Sequence, residues 1–290
     1  MPKSFVFKSD KAEAEYKAAY DATLTLFKVE FESSFIETSF GKTHIIACGN
    51  KDAEPLILLH GMNVSSTMWY PQIEVLSREF RVFAIDIISD SNKSVPSKRI
   101  SKKHEYMVWL DEVLDKLEIK SAYFTGHSFG GWMSFNYALH APDRVKKLAL
   151  CAPGWFVGMS LIFCLRALLC VLFYSRSRAL NFIAWTAVDF SKPDEKFVEQ
   201  FSLSFRNMKL DKLRIMPTVP KDEELKKLSQ PTLLLVGESE VIYEGRKAVD
   251  RAKRLIPNIK AELIPQTSHC LTMENAERIN EELLNFFMQK

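Results

Sequence analysis

Four short stretches of this chain carry residues able to do chemistry together. Gly126-His127-Ser128-Phe129-Gly130 sets a serine in the spacing G-x-S-x-G, after an apolar run and before a helical pattern. A strand-to-helix turn this tight strains the backbone at the serine, and small residues two before and two after it avoid clashes. Gly131 adds a third point of close helix–strand approach. Such a turn projects the Ser128 hydroxyl outward and puts the Phe129 N–H at a helix N-terminus, which favours negative charge.

A free serine is a weak nucleophile and needs a base and an orienting acid. Two histidines follow Ser128. His140 lies inside the helix that Ser128 opens, about three turns on, and cannot reach back. His269 follows a predicted strand in a short loop, Pro265-Gln266-Thr267-Ser268, and is the expected base. The acid belongs just after Val236, in Gly237-Glu238-Ser239-Glu240-Val241. Glu240 is the expected acid, because the first residues past a strand must turn before a side chain can reach His269. Glu238 is expected at the surface or in support.

A second oxyanion donor is expected from the loop His60-Gly61-Met62-Asn63, with the Met62 N–H aimed at the site beside that of Phe129. His60 precedes the glycine of this turn and reads as a loop anchor. The chemistry predicted is acyl transfer: Ser128 attacks a carbonyl, His269 takes its proton, and Glu240 holds the imidazole and stabilises its cation. The scheme needs no metal and no cofactor.

The elements that must position these residues alternate along the chain. A helix is predicted over 9–27, capped by Ser9 or Asp10. Strands at 33–39 and 43–48 flank a turn at Gly41-Lys42. Short apolar runs at 56–59, 122–124 and 232–236 read as strands buried on both faces, and 81–85, 145–151 and 259–264 read as further strands. Helical patterns at 67–79, 103–117, 128–141, 245–255 and 274–288 lie between or after them. The expected fold is α/β, a mostly parallel sheet of about eight strands with helices on both faces and an antiparallel edge.

About 80 residues between Cys151 and Thr232 lack a clear buried strand, too many for an ordinary loop. The expected organisation is one domain with an N-terminal helix (1–27), a core (28–153 and 218–290) and an inserted helical cap (154–217). Residues 155–174 are apolar at 17 of 20 positions, the length of a membrane span. Arg166 at its centre would cost about 2.5–3.5 kcal/mol, and the strands on either side belong to one sheet. A cap over an apolar pocket is expected instead of a span. Peripheral membrane contact stays open, since Arg166, Arg176 and Arg178 meet no acid until Asp189. Trp132, Trp155 and Phe156, with Phe129, are the candidates for contact with an apolar substrate group.

Composition narrows the classes. Lys and Arg exceed Asp and Glu by 39 − 36 = 3, too few to suggest nucleic acid, and 47% apolar content fits a chain of 290 residues with a large core. Five cysteines match no zinc or redox spacing and read as reduced thiols. The first 20 residues hold no apolar leader core, so a cytoplasmic location is the expectation. The oligomeric state is left open.

Together these residues resemble the α/β-hydrolase superfamily from about residue 31 to 288. The marks are LLHGM at 58–62, GHSFGG at 126–131, PTLLLVGESEVIY at 231–243 and the Ser268-His269 loop. The chain is similar to Bacillus carboxylesterases of the naproxen-esterase type, which the segment IDIISDSNKS at 85–94 also resembles. The resemblance implies cofactor-free hydrolysis of small-molecule carboxylic esters and a glutamate as triad acid, in favour of Glu240. Ser268 and Ser89 depart from glycines common in relatives. Thioester, lactone or C–C bond hydrolysis, perhydrolysis, and ligand binding without catalysis are the alternative readings on this fold.

Overall fold

The computed structural model describes residues 4–154, 156–209 and 218–289. Its first half runs α1 (Asp10–Leu24), β1 (Phe31–Thr38), β2 (Gly41–Cys48), β3 (Pro55–Leu59), α2 (Tyr70–Leu76), β4 (Arg81–Ile85), the short β5 (Val95–Pro96), α3 (Lys103–Lys116), β6 (Ala122–His127), α4 (Phe129–His140) and β7 (Val145–Cys151). Then come α5 (Leu161–Leu172), α6 (Arg176–Trp185), α7 (Glu195–Asn207) and α8 (Asp222–Lys226). The chain closes with β8 (Thr232–Gly237), α9 (Gly245–Leu255), β9 (Ile259–Ile264), α10 (Leu271–Glu274) and α11 (Ala276–Met288).

The strands form one nine-stranded sheet in the order β1-β2-β4-β3-β6-β7-β8-β9, with β5 paired to β2. The antiparallel pairings are those of β2 with β1, β4 and β5; in sheet order from β4 through to β9 the pairings are parallel. The central strands β3 and β8 read as nearly continuous apolar runs because both faces are covered, whereas β7 and the edge strand β9 place Lys146 and Lys260 at exposed positions. Along β3, Ile57 and Leu59 enter the core shared with α3 and α4, while Leu56 and Leu58 enter the opposite core with α1, α2 and α11. Gly126 pairs with Leu59 on one side and Leu150 on the other, so β3, β6 and β7 end side by side. The segments carrying Met62, Ser128, Glu240 and His269 follow the C-terminal ends of β3, β6, β8 and β9, where open α/β sheets gather their sites.

Two local expectations change. The hairpin turns at Ser39-Phe40, because Thr38 pairs with Gly41. Gly41 is needed for another reason: its φ is +125°, and a Cβ there would lie 2.2 Å from the Val95 carbonyl oxygen of β5. The expected helix 67–79 is a 3-10 turn over Ser66–Trp69 followed by α2, with Pro71 in its first turn. At α1, Ser9 is the cap, accepting from the Ala12 N–H at 3.2 Å.

The apolar stretch 155–174 contains a 12-residue helix, α5, and among the described residues no helix is long and apolar enough to cross a membrane. The segment from α5 to α7 is helical and intervenes between β7 and β8.

A buried polar network fixes the loops above the sheet. Asp86, just past β4, accepts from His44 Nδ1 at 2.9 Å, the Ser66 N–H at 2.9 Å and the Lys93 N–H at 3.1 Å. Gln200 of α7 reaches into the same region, donating to Tyr16 and Ser65 and accepting from Thr67. It thereby ties α7 to α1 and to the loop after β3. Burial raises the Asp86 carboxyl, but the His44 hydrogen bond and attraction, with His60 and the Ser66 amide, outweigh it and hold it at about 2. A depressed carboxylate stabilises the fold above its unfolded value near 4, and that contribution is lost as pH falls towards 2. Asp86→Ala is therefore expected to cost about 3–5 kcal/mol at neutral pH and to flatten the acid limb of stability. Urea unfolding at pH 7 and pH 3 checks both.

Candidate active site

Ser128 sits at φ 52°, ψ −112°, between the last residue of β6 and the first of α4. A non-glycine residue there is strained and needs its surroundings to hold it. Its own N–H donates to the Cys151 carbonyl at 3.0 Å, and its carbonyl accepts from Trp132 and Gly154. The glycines explain themselves by contact. A Cβ on Gly126 would lie 2.2 Å from the Gly130 carbonyl oxygen, and one on Gly130 would lie 2.0 Å from that of Leu59. Gly131 packs on Pro153 in the same way, at 2.9 Å. The turn is thus pressed against β3 on one side and the end of β7 on the other.

His269 follows β9 in a loop tied at several points. Ser268 donates its N–H to Glu274 and its hydroxyl to the Ser239 carbonyl, each at 2.8 Å. His127 Nε2 donates to the His269 carbonyl at 2.9 Å. Burial, aided by the neighbouring His269, holds the His127 imidazole down at about 3, so it stays neutral across the working range.

The loop after β8 delivers Glu240. Its side chain is fully buried, and Oε2 accepts from His269 Nδ1 at 2.9 Å. Oε1 accepts the Ile242 N–H at 2.8 Å, so both oxygens are engaged. Gly237 lets this loop pass the histidine loop, since a Cβ there would lie 2.3 Å from the Ser268 carbonyl oxygen. Glu238 is exposed, and its backbone N–H pairs with Ile264. His140 faces outward and pairs with Asp111 at 2.8 Å.

Met62 lies half-buried between two amides already used: Gly61 N–H points at Met68 Sδ, and Asn63 N–H donates to Asp90. Among the described residues the Met62 N–H has no hydrogen-bond partner. His60 is buried and anchors this loop: Nδ1 donates to the Gly61 carbonyl at 2.7 Å, and Nε2 accepts from the Ile87 N–H at 2.8 Å. Phe129 is the first residue of α4.

Ser128, His269 and Met62 open onto one cavity of about 620 Å³. That is within the range of sites for drug-sized molecules. Its far walls come from α5 to α7, through Phe163, Phe182, Phe197, Phe201 and Phe205. Three expected contact residues are placed elsewhere. The Phe129 ring meets Tyr106 edge-on and stacks on Trp132, whose Nε1 donates to the Thr218 carbonyl. Phe156 packs edge-on against Phe135. None of the three rings lines the cavity; all belong to the core shared with α3 and α4. Trp155 lies outside the described residues.

Some residues of the site carried no signal of their own. Phe197, Phe201 and Phe205 recur at every fourth residue, a pattern equally suited to a core, and here it faces the cavity. Glu274 also tied the site together unseen, joining Ser268 to the Asp189 amide of the α6–α7 connection. The departures from glycine have local causes. Ser89 takes φ 73° and bonds the Tyr106 hydroxyl at 2.9 Å, and the Ser268 hydroxyl locks the two loops as described.

Comparison with known proteins agrees with this architecture. Residues 54–193 match a family described as alpha/beta hydrolase fold. The chain is 38% identical to the Bacillus subtilis protein called carboxylesterase nap, over 94% of this chain and 92% of that one. It is 35% identical to carboxylesterase YbfK of the same organism, over 98% and 97%. The crystal structure of naproxen esterase from Bacillus subtilis superimposes with a TM-score of 0.90 at 37% identity, covering 96% of this chain and 99% of that one.

Proposed function

We propose, for a chain that belongs to the α/β-hydrolase family, that it is a serine carboxylesterase acting on apolar small-molecule esters through an acyl-enzyme. The observation that carries this reading is the buried Glu240–His269 pair at 2.9 Å, beside a strained Ser128 on the wall of the same apolar cavity. Ser128 attacks the ester carbonyl while His269 takes its proton. The alcohol leaves with that proton, water enters, and His269 activates it to release the acid. Glu240 fixes the tautomer that leaves Nε2 free to act as base. The Met62 and Phe129 amides bind the oxyanion, each worth about 2.7–4 kcal/mol in the transition state.

The insertion between β7 and β8 serves as a cap, whose described helices α5 to α7 wall the cavity and select apolar acyl or alcohol groups. Ordered loops held by Asp86, Gln200 and Glu274 keep the catalytic groups in register. The unbridged cysteines suit the reducing cytoplasm.

The test is hydrolysis of p-nitrophenyl esters from acetate to palmitate, with a succinate half-ester as the charged comparison. Apolar acyl esters are expected to turn over, with the charged ester far behind. Activity is expected to ignore chelators. Failure on every ester, or loss of activity with EDTA, contradicts the proposal.

A further inference from the structure

We infer that the outer face of α5, with the basic hollow beside it, is a docking surface for an anionic phospholipid membrane. The inference is independent of the reaction performed in the cavity.

Helix α5 is apolar round its circumference but for Arg166. Its inner side, through Phe163, Ala167 and Val171, packs on α6 and α7 and lines the cavity. Its outer side is bare. Leu161 is 86% exposed, Ile162 61%, Leu165 58% and Leu172 53%, and Phe173 continues the face at 61%. These positions repeat at helical spacing and form one stripe. A helix apolar all round is ordinarily buried in protein or lipid.

Within the segment that carries this stripe the charge has one sign. No Asp or Glu occurs between Asp143 and Asp189. Arg166 rises on the flank of α5, its guanidinium 4.7 Å from the Trp185 ring centre. Arg166, Ser175, Ser177, Arg178 and Asn181 line a surface hollow against α6. Among the described residues neither Arg166 nor Arg178 has a carboxylate partner, whereas the nearby Arg176 pairs with Glu199 at 2.8 Å. Two unopposed guanidiniums and hydroxyl donors suit a phosphate oxygen cluster. An aliphatic stripe edged by arginines matches acyl chains below a layer of anionic headgroups.

A second copy fits less well. A two-fold contact over this small face would set the same unopposed arginines near each other. The membrane reading also gives the exposed cavity wall a purpose. Cys164 and Leu168 are at once exposed and cavity-lining, so the lipid-facing stripe runs into the rim of the cavity.

The test is sedimentation of the full chain with sucrose-loaded vesicles of phosphatidylcholine, alone or mixed with phosphatidylglycerol. Wild type is expected to pellet with the anionic vesicles, and less so as salt is raised. Leu165→Glu/Leu172→Glu is expected to remove pelleting while its thermal unfolding stays that of wild type. Arg166→Gln and Arg178→Gln are each expected to weaken binding roughly five-fold. No pelleting with anionic vesicles overturns the proposal, as does pelleting that survives the double glutamate variant. A wild-type dimer that the double variant dissolves, without vesicle binding, assigns the face to self-association and overturns it too.

Discussion

Ser128→Ala is expected to lower kcat on a p-nitrophenyl ester by about 10⁶-fold, the loss typical when a triad nucleophile is deleted. Alanine fills nearly the same space at φ 52°, so the strained turn and the contacts of Gly126 and Gly130 remain. The loss would therefore be chemical. With no hydroxyl, no acyl-enzyme forms, and the residual rate comes from substrate held near the oxyanion donors. Thermal unfolding should be unchanged, and KM should stay close to that of wild type. A variant that keeps more than about a tenth of the activity would remove Ser128 from the mechanism.

The second large effect separates two carboxylates two residues apart. Glu240→Gln is expected to cost about 10⁴-fold in kcat, and Glu238→Gln almost nothing. The reason is tautomeric as well as electrostatic. Glu240 accepts the His269 Nδ1 proton while its other oxygen holds the Ile242 amide. A glutamine would keep its carbonyl on Ile242 and turn its NH₂ towards Nδ1. That favours the imidazole with its proton on Nε2, which cannot take one from serine. It also withdraws the negative charge that stabilises the cation formed during attack. Glu238 is exposed and touches neither. Steady-state kinetics of the two variants decide the matter, and the reverse order would move the acid to Glu238.

Much of the fold was legible because its strongest signals are local. Apolar runs such as Leu56–Leu59 and Leu233–Val236 allow few arrangements other than a covered strand, and these lie where the spacing put them. The turn at Ser128 was legible because its steric demands are met only by glycine at fixed offsets. Glu240 could be favoured over Glu238 from the need to turn first, and the buried contact with His269 follows that logic.

What escaped depends on contacts distant in sequence. Gly41 looked like a turn glycine, yet it answers to β5, more than 50 residues later. Trp132 and Phe156 were expected to contact the substrate, but Trp132 stacks on Phe129 and Phe156 packs on Phe135, both in the core. The real wall is the phenylalanine ladder of α7, whose spacing alone cannot tell a cavity from a core. Gln200 and Glu274 hold the site's loops through several hydrogen bonds to partners distant in sequence, which no local pattern announces.

The most direct test of the central claim is to look for the acyl-enzyme itself. The protein is mixed with excess p-nitrophenyl butyrate, quenched in acid within milliseconds, digested and read by mass spectrometry. The account predicts a butyryl increment on the peptide that contains Ser128, formed in a burst and absent from Ser128→Ala. Steady turnover with no acyl mass on that peptide, or with the acyl group on another residue, would contradict it.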